Sequence, residues 1–212
     1  MMKTIIFGNG EITSYRWILP WLEGHELAIC CDGGLRHMKK LGLRPHVMLG
    51  DFDSVDPDDL ENYIKQGIAC ERHPVQKDET DMELCVRYAL THGTTEILIF
   101  GGTGSRFDHT LANVLLLKQA LQLNIPAWLL DQRHRICMMD RQLTIKGEPG
   151  DVLSLLPVGG DATGVTTEGL QYPLRQETLY LHATRGISNV FERESASIAM
   201  TSGLLLVVHT KA

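Results

Sequence analysis

The chain lacks most of what would tie it to a membrane, an oxidising compartment or nucleic acid. Its five cysteines, Cys30, Cys31, Cys70, Cys85 and Cys137, are odd in number and show no CxxC spacing. That argues against a disulfide framework or a zinc site and fits reduced thiols in the cytoplasm. No apolar run approaches the roughly 20 residues that cross a bilayer; near the end the longest is Leu204 to Val208. The apolar start, Met1 to Phe7, breaks at Gly8-Asn9-Gly10, too soon for a secretory signal. Basic residues are outnumbered, 20 Lys and Arg against 26 Asp and Glu, for a net charge of -6. This excludes no small ligand held by a few cations, but it argues against a polyanionic partner such as nucleic acid. There is no GxxxxGKS/T, so the chain has no P-loop, and no internal repeat or low-complexity tract is evident.

What is present reads as an ordinary globular protein: 212 residues, 43% hydrophobic and 22% charged, enough for one large or two small domains. Short apolar runs at Thr4–Phe7, Leu27–Cys31, Val47–Leu49, Ile68–Glu71, Ile97–Phe100 and Ala127–Leu130 read as strands. Helical patterns fall between them at Leu35–Leu41, Asp58–Gln66, Asp81–Thr91 and Thr110–Leu123. Such alternation predicts a largely parallel sheet covered on both faces. Asp56-Pro57 and Thr80-x-x-Glu83 supply helix starts, the second as a capping box. Beyond about Asp131 the texture changes. Glycine and proline punctuate short β-like runs and no helical pattern remains, which predicts a second, all-β domain. The expected boundaries are 1–132 and 133–212.

The chemistry is concentrated where strands of the first domain should end. Asp32-Gly33-Gly34, Gly50-Asp51-Phe52-Asp53-Ser54, Lys77-Asp78-Glu79-Thr80-Asp81 and Gly101-Gly102-Thr103-Gly104-Ser105-Arg106-Phe107-Asp108-His109 occupy four loops. In open α/β sheets, ligands bind outside the carboxyl ends of the strands, so these loops are expected to meet in one cleft. Clustered carboxylates repel unless a cation compensates them. Magnesium, an oxygen-loving ion held by one or two carboxylates plus substrate phosphates, suits that role. Asp51 and Asp53 can reach one ion, and Asp78 and Asp81 can face the same way around a helix start. Arg106 and Lys77 are natural phosphate partners, and Gly101, Gly102 and Gly104 let backbone N–H groups approach phosphate oxygens. Each feature has a plainer reading as well. Asp56 and Thr80 serve as caps, Gly33-Gly34 serves equally as a turn, His109 fits a hydrogen-bonded loop residue better than a base, and Gly8-Asn9-Gly10 is a weak phosphate loop.

Taken in order, Asp32-Gly33-Gly34, Gly50-Asp51-Phe52-Asp53-Ser54, Lys77-Asp78-x-Thr80-Asp81, Gly104-x-Arg106-x-Asp108-His109, Gly169-Leu170-x-Tyr172-Pro173-Leu174 and Gly186-Ile187-Ser188-Asn189 resemble the thiamine pyrophosphokinases. The resemblance covers most of the chain, and six motifs in sequence make it specific. It implies an N-terminal Rossmann-like α/β domain that binds ATP and Mg²⁺, and a C-terminal β-sandwich that binds thiamine. It implies a homodimer with active sites at the subunit interface, and transfer of the pyrophosphoryl group of ATP to thiamine, giving thiamine diphosphate and AMP. By motif, Asp51, Asp53 and Asp81 hold Mg²⁺. Asp32, Gly33, Lys77, Asp78, Thr80, Gly102, Gly104, Arg106, Asp108 and His109 belong to the ATP and phosphate site. Ser188 and Asn189 help hold thiamine. Tyr172 is either a ring contact or a core aromatic, and the proton acceptor is Asp81 or Asp108. The rivals are a pyrophosphokinase acting on another heterocycle such as a pterin, a phosphohydrolase suggested by Asp51-x-Asp53-x-Val55, and a non-catalytic nucleotide sensor. The phosphohydrolase motif belongs on a first strand, whereas here it follows about the third.

Overall fold

A computed structural model describes residues 2–74 and 76–212, which form two compact units, one ending at Gln132 and the other spanning Arg133–Ala212. Among the described residues no helix is long and apolar enough to cross a membrane.

The first unit is α/β. In chain order it contains β1 (Met2–Phe7), α1 (Leu19–Leu22), β2 (His25–Cys31), a 3-10 turn at Asp32–Gly34, α2 (Leu35–Leu41), β3 (Val47–Gly50), α3 (Pro57–Lys65), β4 (Ala69–Arg72), α4 (Asp81–Thr91), β5 (Thr94–Phe100), α5 (Phe107–Gln122) and β6 (Ala127–Leu130). The strands pair in parallel in the order β6-β5-β1-β2-β3-β4. Central positions are buried in unbroken runs, including Ile5–Phe7, Ala28–Cys31 and Ile97–Phe100. An unbroken apolar run is what a strand covered on both faces needs. The outermost strand β4 is mostly exposed. The chain runs outward from β1 through β2, β3 and β4, then returns to the other side of β1 as β5. That reversal opens a crevice between the loops leaving β1 and β5, the position where ligands bind in open α/β sheets.

Helix ends follow local chemistry. Asp56 accepts from the backbone N–H groups of Asp58 (3.0 Å) and Asp59 (3.2 Å), with Pro57 opening α3. Thr80 Oγ1 accepts from the Glu83 N–H at 3.2 Å, while the Glu83 carboxylate accepts instead from Gln119. The sequence places the start of α5 three residues too late. Thr110, expected as the first helical residue, lies inside the first turn: its hydroxyl donates to the Arg106 carbonyl one turn back (3.2 Å) and accepts from the Gly104 N–H (3.2 Å). Asp108 in that turn complements the helix dipole. The one-turn helix α1 and the 3-10 turn at Asp32 lack the periodicity that would announce them.

The second unit is built from antiparallel strands: β7 (His134–Met139), β8 (Gln142–Lys146), β9 (Val152–Pro157), β10 (Ala162–Glu168), β11 (Glu177–Leu179), β12 (Asn189–Val190), β13 (Ser195–Ala199) and β14 (Leu205–Thr210). One set pairs in the order β12-β9-β14-β7 and the other in the order β11-β10-β13-β8. Inward and outward residues alternate; on β14, Leu205, Val207 and His209 are buried. His209 at an inward position requires partners. Its Nε2–H donates to Asp151 Oδ2 at 2.7 Å, and its Nδ1 accepts from Arg135 Nε at 2.8 Å. Asp151 also accepts from the N–H groups of Glu148 and Ala212. Burial, with the nearby Arg135 charge, lowers the His209 pKa despite the Asp151 carboxylate.

Candidate functional site

A cavity of about 800 Å³ lies at the carboxyl ends of the first unit's strands. The four loops singled out in the sequence converge on it, contributing Asp32, Asp51 and Asp53, Thr80 and Asp81, and the segment Gly101–Arg106 with His109. Strand register explains the carboxylates. Cys31 of β2 lies opposite Leu49 of β3, so the residues that follow, Asp32 and the Gly50-Asp51 pair, emerge side by side. The approach is close: a Cβ on Gly50 would stand 3.1 Å from the Asp32 Cβ. Phe52 turns the other way and is buried, with a positive φ of 64°. Its anchored ring leaves Asp51 and Asp53 facing the cavity, and Asp51 Oδ1 accepts from the Asp53 N–H at 3.1 Å.

Carboxylate oxygens of Asp32, Asp51 and Asp53 all lie within 4.8 Å of one another. Two unit charges at that separation repel by on the order of 3 kcal/mol at an effective dielectric of ~20, less where solvent screens the exposed Asp53. Asp32 is buried, has a φ of 45°, and leaves Oδ1 without a hydrogen-bond partner. Burial pushes its pKa up, and the negative charges of Asp81 and Asp51 push the same way. Asp81 lines the cavity outside this trio. Lys77 Nζ stands 3.0 Å from Asp81 Oδ1, an ion-pair distance, yet that oxygen too is buried without a hydrogen bond. One buried Asp32 oxygen without a partner, an Asp81 oxygen met by the Lys77 ammonium, and the carboxylates of Asp51 and Asp53 around one cavity make a hard, oxygen-only donor set. That set fits a divalent cation such as magnesium.

The other expected residues are placed as follows. Arg106 lines the cavity and holds Asp108 through two hydrogen bonds, 2.6 and 3.2 Å. The Arg106 guanidinium keeps the Asp108 carboxyl down at about 2. Gly102 and Gly104 line the cavity; Asn113 Nδ2 donates to the Gly102 carbonyl at 2.7 Å, and Thr110 engages Gly104. Lys77, Asp78, Asp108 and Gly33 are not among the lining residues. Lys77 donates to the Pro74 carbonyl, and Gly33 makes room for the side chain of Asn9, whose Cγ would stand 2.5 Å from a Cβ there. In the second unit, Ser188 has a φ of 59° and donates its N–H to Ser154 Oγ at 3.0 Å. Asn189 accepts from the Tyr172 N–H (3.0 Å) and donates to its carbonyl (2.7 Å). Tyr172 is 56% exposed, which removes it from the core.

Sequence reasoning gave Gly8-Asn9-Gly10 only as a weak phosphate loop and missed Glu11 and Arg36; Asn9, Gly10, Glu11 and Arg36 all line the cavity. The Gly8-Asn9-Gly10 turn follows β1 and packs on the loop after β5. Gly10 N–H donates to the Gly101 carbonyl at 2.7 Å, and a Cβ on Gly10 would stand 2.1 Å from the Thr103 carbonyl. Arg36 donates to the Asn9 carbonyl. Buried His37 donates from Nε2 to the Gly10 carbonyl at 2.8 Å and accepts at Nδ1 from Tyr15 Oη at 2.7 Å. The signal that strengthens this loop beyond its weak glycine motif is the crevice rule applied to the strand order.

Burial lowers the His37 pKa to about 4, so the folded chain resists protonating it while the unfolded chain takes up a proton near the usual 6.5. Stability is therefore full above about pH 6.5 and lost as pH falls towards 4. For His37 alone the loss is of order 3 kcal/mol, and His209 acts in the same direction. The urea midpoint should fall clearly between pH 7 and pH 4.5, and His37→Gln should flatten that fall. An unchanged pH slope in the variant would remove His37 from this role.

Comparison with known proteins gives matches over both units. Residues 20–129 match the model described as "Thiamin pyrophosphokinase, catalytic domain", and residues 138–205 match "Thiamin pyrophosphokinase, vitamin B1 binding domain". The chain is 30% identical to a thiamine pyrophosphokinase of Bacillus subtilis over 212 residues, covering 99% of each chain. It is 27% identical to thiamine pyrophosphokinase 1 of Arabidopsis thaliana, covering 91% of this chain and 81% of that one. A crystal structure of thiamine pyrophosphokinase from Bacillus subtilis superposes with a TM-score of 0.89 at 28% identity, covering 100% and 99% of the two chains. The thiamin pyrophosphokinase from Candida albicans, at 17% identity, shares the fold, with a TM-score of 0.85 over 100% of this chain and 89% of that one.

Proposed function

This chain belongs to the thiamin pyrophosphokinase family, and from that premise we propose how it transfers the pyrophosphoryl group of ATP to thiamine, giving thiamine diphosphate and AMP. The observation that carries the proposal is the convergence of Asp32, Asp51 and Asp53 around a buried, unpartnered carboxylate oxygen, facing a glycine-rich loop that ends in Arg106. The first unit is the Rossmann-like catalytic domain, and the second is the β-sandwich that presents thiamine.

Asp51, Asp53 and Asp81, with Asp32, are the residues that would hold Mg²⁺. Bound there, Mg²⁺ neutralises phosphate oxygens and aligns them. Gly102 and Gly104 let the phosphates lie close to the backbone. Arg106 meets the charge that builds on the transferred group as the thiamine hydroxyl attacks the β-phosphorus in line and AMP leaves. Of the two carboxylates open as proton acceptor, Asp81 lines the cavity, whereas Asp108 is held by Arg106 with a strongly lowered pKa. Asp81 is therefore the better acceptor. Lys77 leaves Asp81 for phosphate once the nucleotide is present, Thr80 and His109 border the same site, and Asp78 stands outside its lining. Ser188 and Asn189 shape the thiamine surface, Asn189 by fixing the backbone of Tyr172, which is exposed and free to meet the vitamin. Five unpaired cysteines accord with a cytoplasmic location.

The active unit is a homodimer that shares each site between subunits. An exposed apolar stripe on α5, Phe107, Leu111 and Leu115 at successive i, i+4 steps, supports this, since large apolar patches on a surface mark contacts. Subunit mixing tests the proposal. Asp53→Asn subunits and Ser188→Ala/Asn189→Ala subunits, each inactive alone, should regain activity when combined, because half the sites in a heterodimer are intact. A fully active monomer by sedimentation, or no recovery on mixing, would contradict it.

A further inference from the structure

Two peptide units of the loop leaving β1, Asn9–Gly10 and Gly10–Glu11, border the cavity. The first is fixed at both ends: Arg36 donates to the Asn9 carbonyl, and the Gly10 N–H donates to the Gly101 carbonyl at 2.7 Å. The second is held at its carbonyl, by His37 Nε2 at 2.8 Å. Arg36 stands 3.5 Å from the same oxygen, too far to hold it well alone. Among the described residues no backbone group accepts from the Glu11 N–H at its other end. A trans peptide is planar, so its C=O and N–H point opposite ways. Turning the Gly10 carbonyl to His37 therefore turns the Glu11 N–H away from it. Gly104 lies near that nitrogen, which would stand 3.9 Å from a Cβ there.

We propose that Tyr15 and His37 are positioning residues for the transfer reaction: Tyr15 selects the His37 tautomer that holds the Gly10 carbonyl, and that hold sets the direction of the Glu11 N–H at the phosphate-facing wall. Neither side chain is among the residues that line the cavity, so both act through the loop. The inference rests on the reading of that cavity as the phosphate site. A carbonyl only accepts, so Nε2 must carry a proton, and in a neutral ring Nδ1 is then an acceptor. Tyr15 Oη meets Nδ1 as a donor at 2.7 Å. The ring is neutral at ordinary pH, because burial lowers its pKa to about 4. Without the Tyr15 hydroxyl the proton is free to move to Nδ1, which leaves two lone pairs facing each other at the Gly10 carbonyl. The Gly10–Glu11 peptide then loses its strongest anchor, while Asn9–Gly10 keeps both of its own.

Steady-state kinetics of the full chain at about pH 8, where His37 is neutral folded or unfolded, test this. His37→Leu keeps the bulk and loses the donor. Its KM for ATP should rise about tenfold, with kcat and the KM for thiamine within about twofold, the mark of a contact made equally in ground and transition states. Tyr15→Phe should raise the KM for ATP about threefold by the same route. His37→Gln, which keeps an N–H donor at that reach, should stay within about twofold of the wild type. Lost thermal stability in His37→Leu with an unaltered KM for ATP would overturn the proposal, as a histidine serving only the core behaves that way. A His37→Gln as impaired as His37→Leu would also overturn it, by giving the role to ring shape. If His37→Leu does not fold, Tyr15→Phe, which removes one oxygen, decides alone. The premise is checked separately by calorimetric titration of Asp53→Asn with ATP and Mg²⁺. Unweakened binding there would overturn the phosphate reading and this proposal with it. Weakened binding there with an unchanged KM for ATP in Tyr15→Phe overturns the positioning role alone.

Discussion

Replacing Asp53 by Asn should lower turnover by at least about a hundredfold while the protein stays folded, and Asp51→Asn should do the same. The loop keeps its shape in either variant, because Phe52 remains anchored beneath it. What is lost is an anionic oxygen from a trio whose members lie within 4.8 Å of one another. Without a cation that trio is under mutual repulsion, so removing one charge relieves the empty site. Thermal stability in the absence of Mg²⁺ should therefore hold or rise slightly as activity collapses. Raising Mg²⁺ should recover part of the rate, since weaker cation binding yields to mass action. Near-wild-type turnover in both variants at ordinary Mg²⁺ would remove these residues from the metal site. A loss of activity that tracked a loss of folding would make their role structural.

The trio also shows where sequence reasoning reached its limit. Asp51 and Asp53 stand two apart in one loop, and that spacing alone announces a shared ligand. Asp32 was legible as a ligand-site residue but not as their neighbour, because its place depends on β2 pairing with β3 with Cys31 opposite Leu49. Tertiary register of that kind is absent from local spacing. The same holds for Glu11, which follows β1 and meets the loop after β5 because those strands are adjacent, and for Arg36, which reaches Asn9 because β2 lies beside β1. Lys77 shows the converse. Its chemistry suits phosphate, yet without nucleotide it satisfies itself on Asp81, four residues on. The helices with caps and long periodic faces were readable to within a few residues. A helix start that rests on a dipole and an inward-turned Thr110 was not.

Arg106→Ala should lower kcat by about two orders of magnitude, with thiamine binding changed less than threefold. The Arg106 side chain is exposed and lines the cavity at the end of the glycine-rich loop, and an arginine meeting charge that grows in the transition state acts mainly on turnover. Its only charged partner among the described residues is Asp108, whose low pKa depends chiefly on that hydrogen-bonded pair. Removing Arg106 therefore lets the Asp108 carboxyl return upward towards its ordinary value, and the stability that this carboxylate contributes above the ordinary carboxylate range largely disappears with the pair. Lysine at this position should restore only part of the rate, because it supplies the charge without the planar fork. Weakened thiamine binding with unaltered kcat would place Arg106 against the vitamin instead of the phosphates.

The assignment of pyrophosphoryl transfer to this site is tested most directly by identifying products by mass after incubation of the protein with ATP, Mg²⁺ and thiamine. One AMP for each thiamine diphosphate, with neither formed when thiamine or Mg²⁺ is omitted, is the expected result. ADP with thiamine monophosphate, or inorganic phosphate released without thiamine, would contradict it.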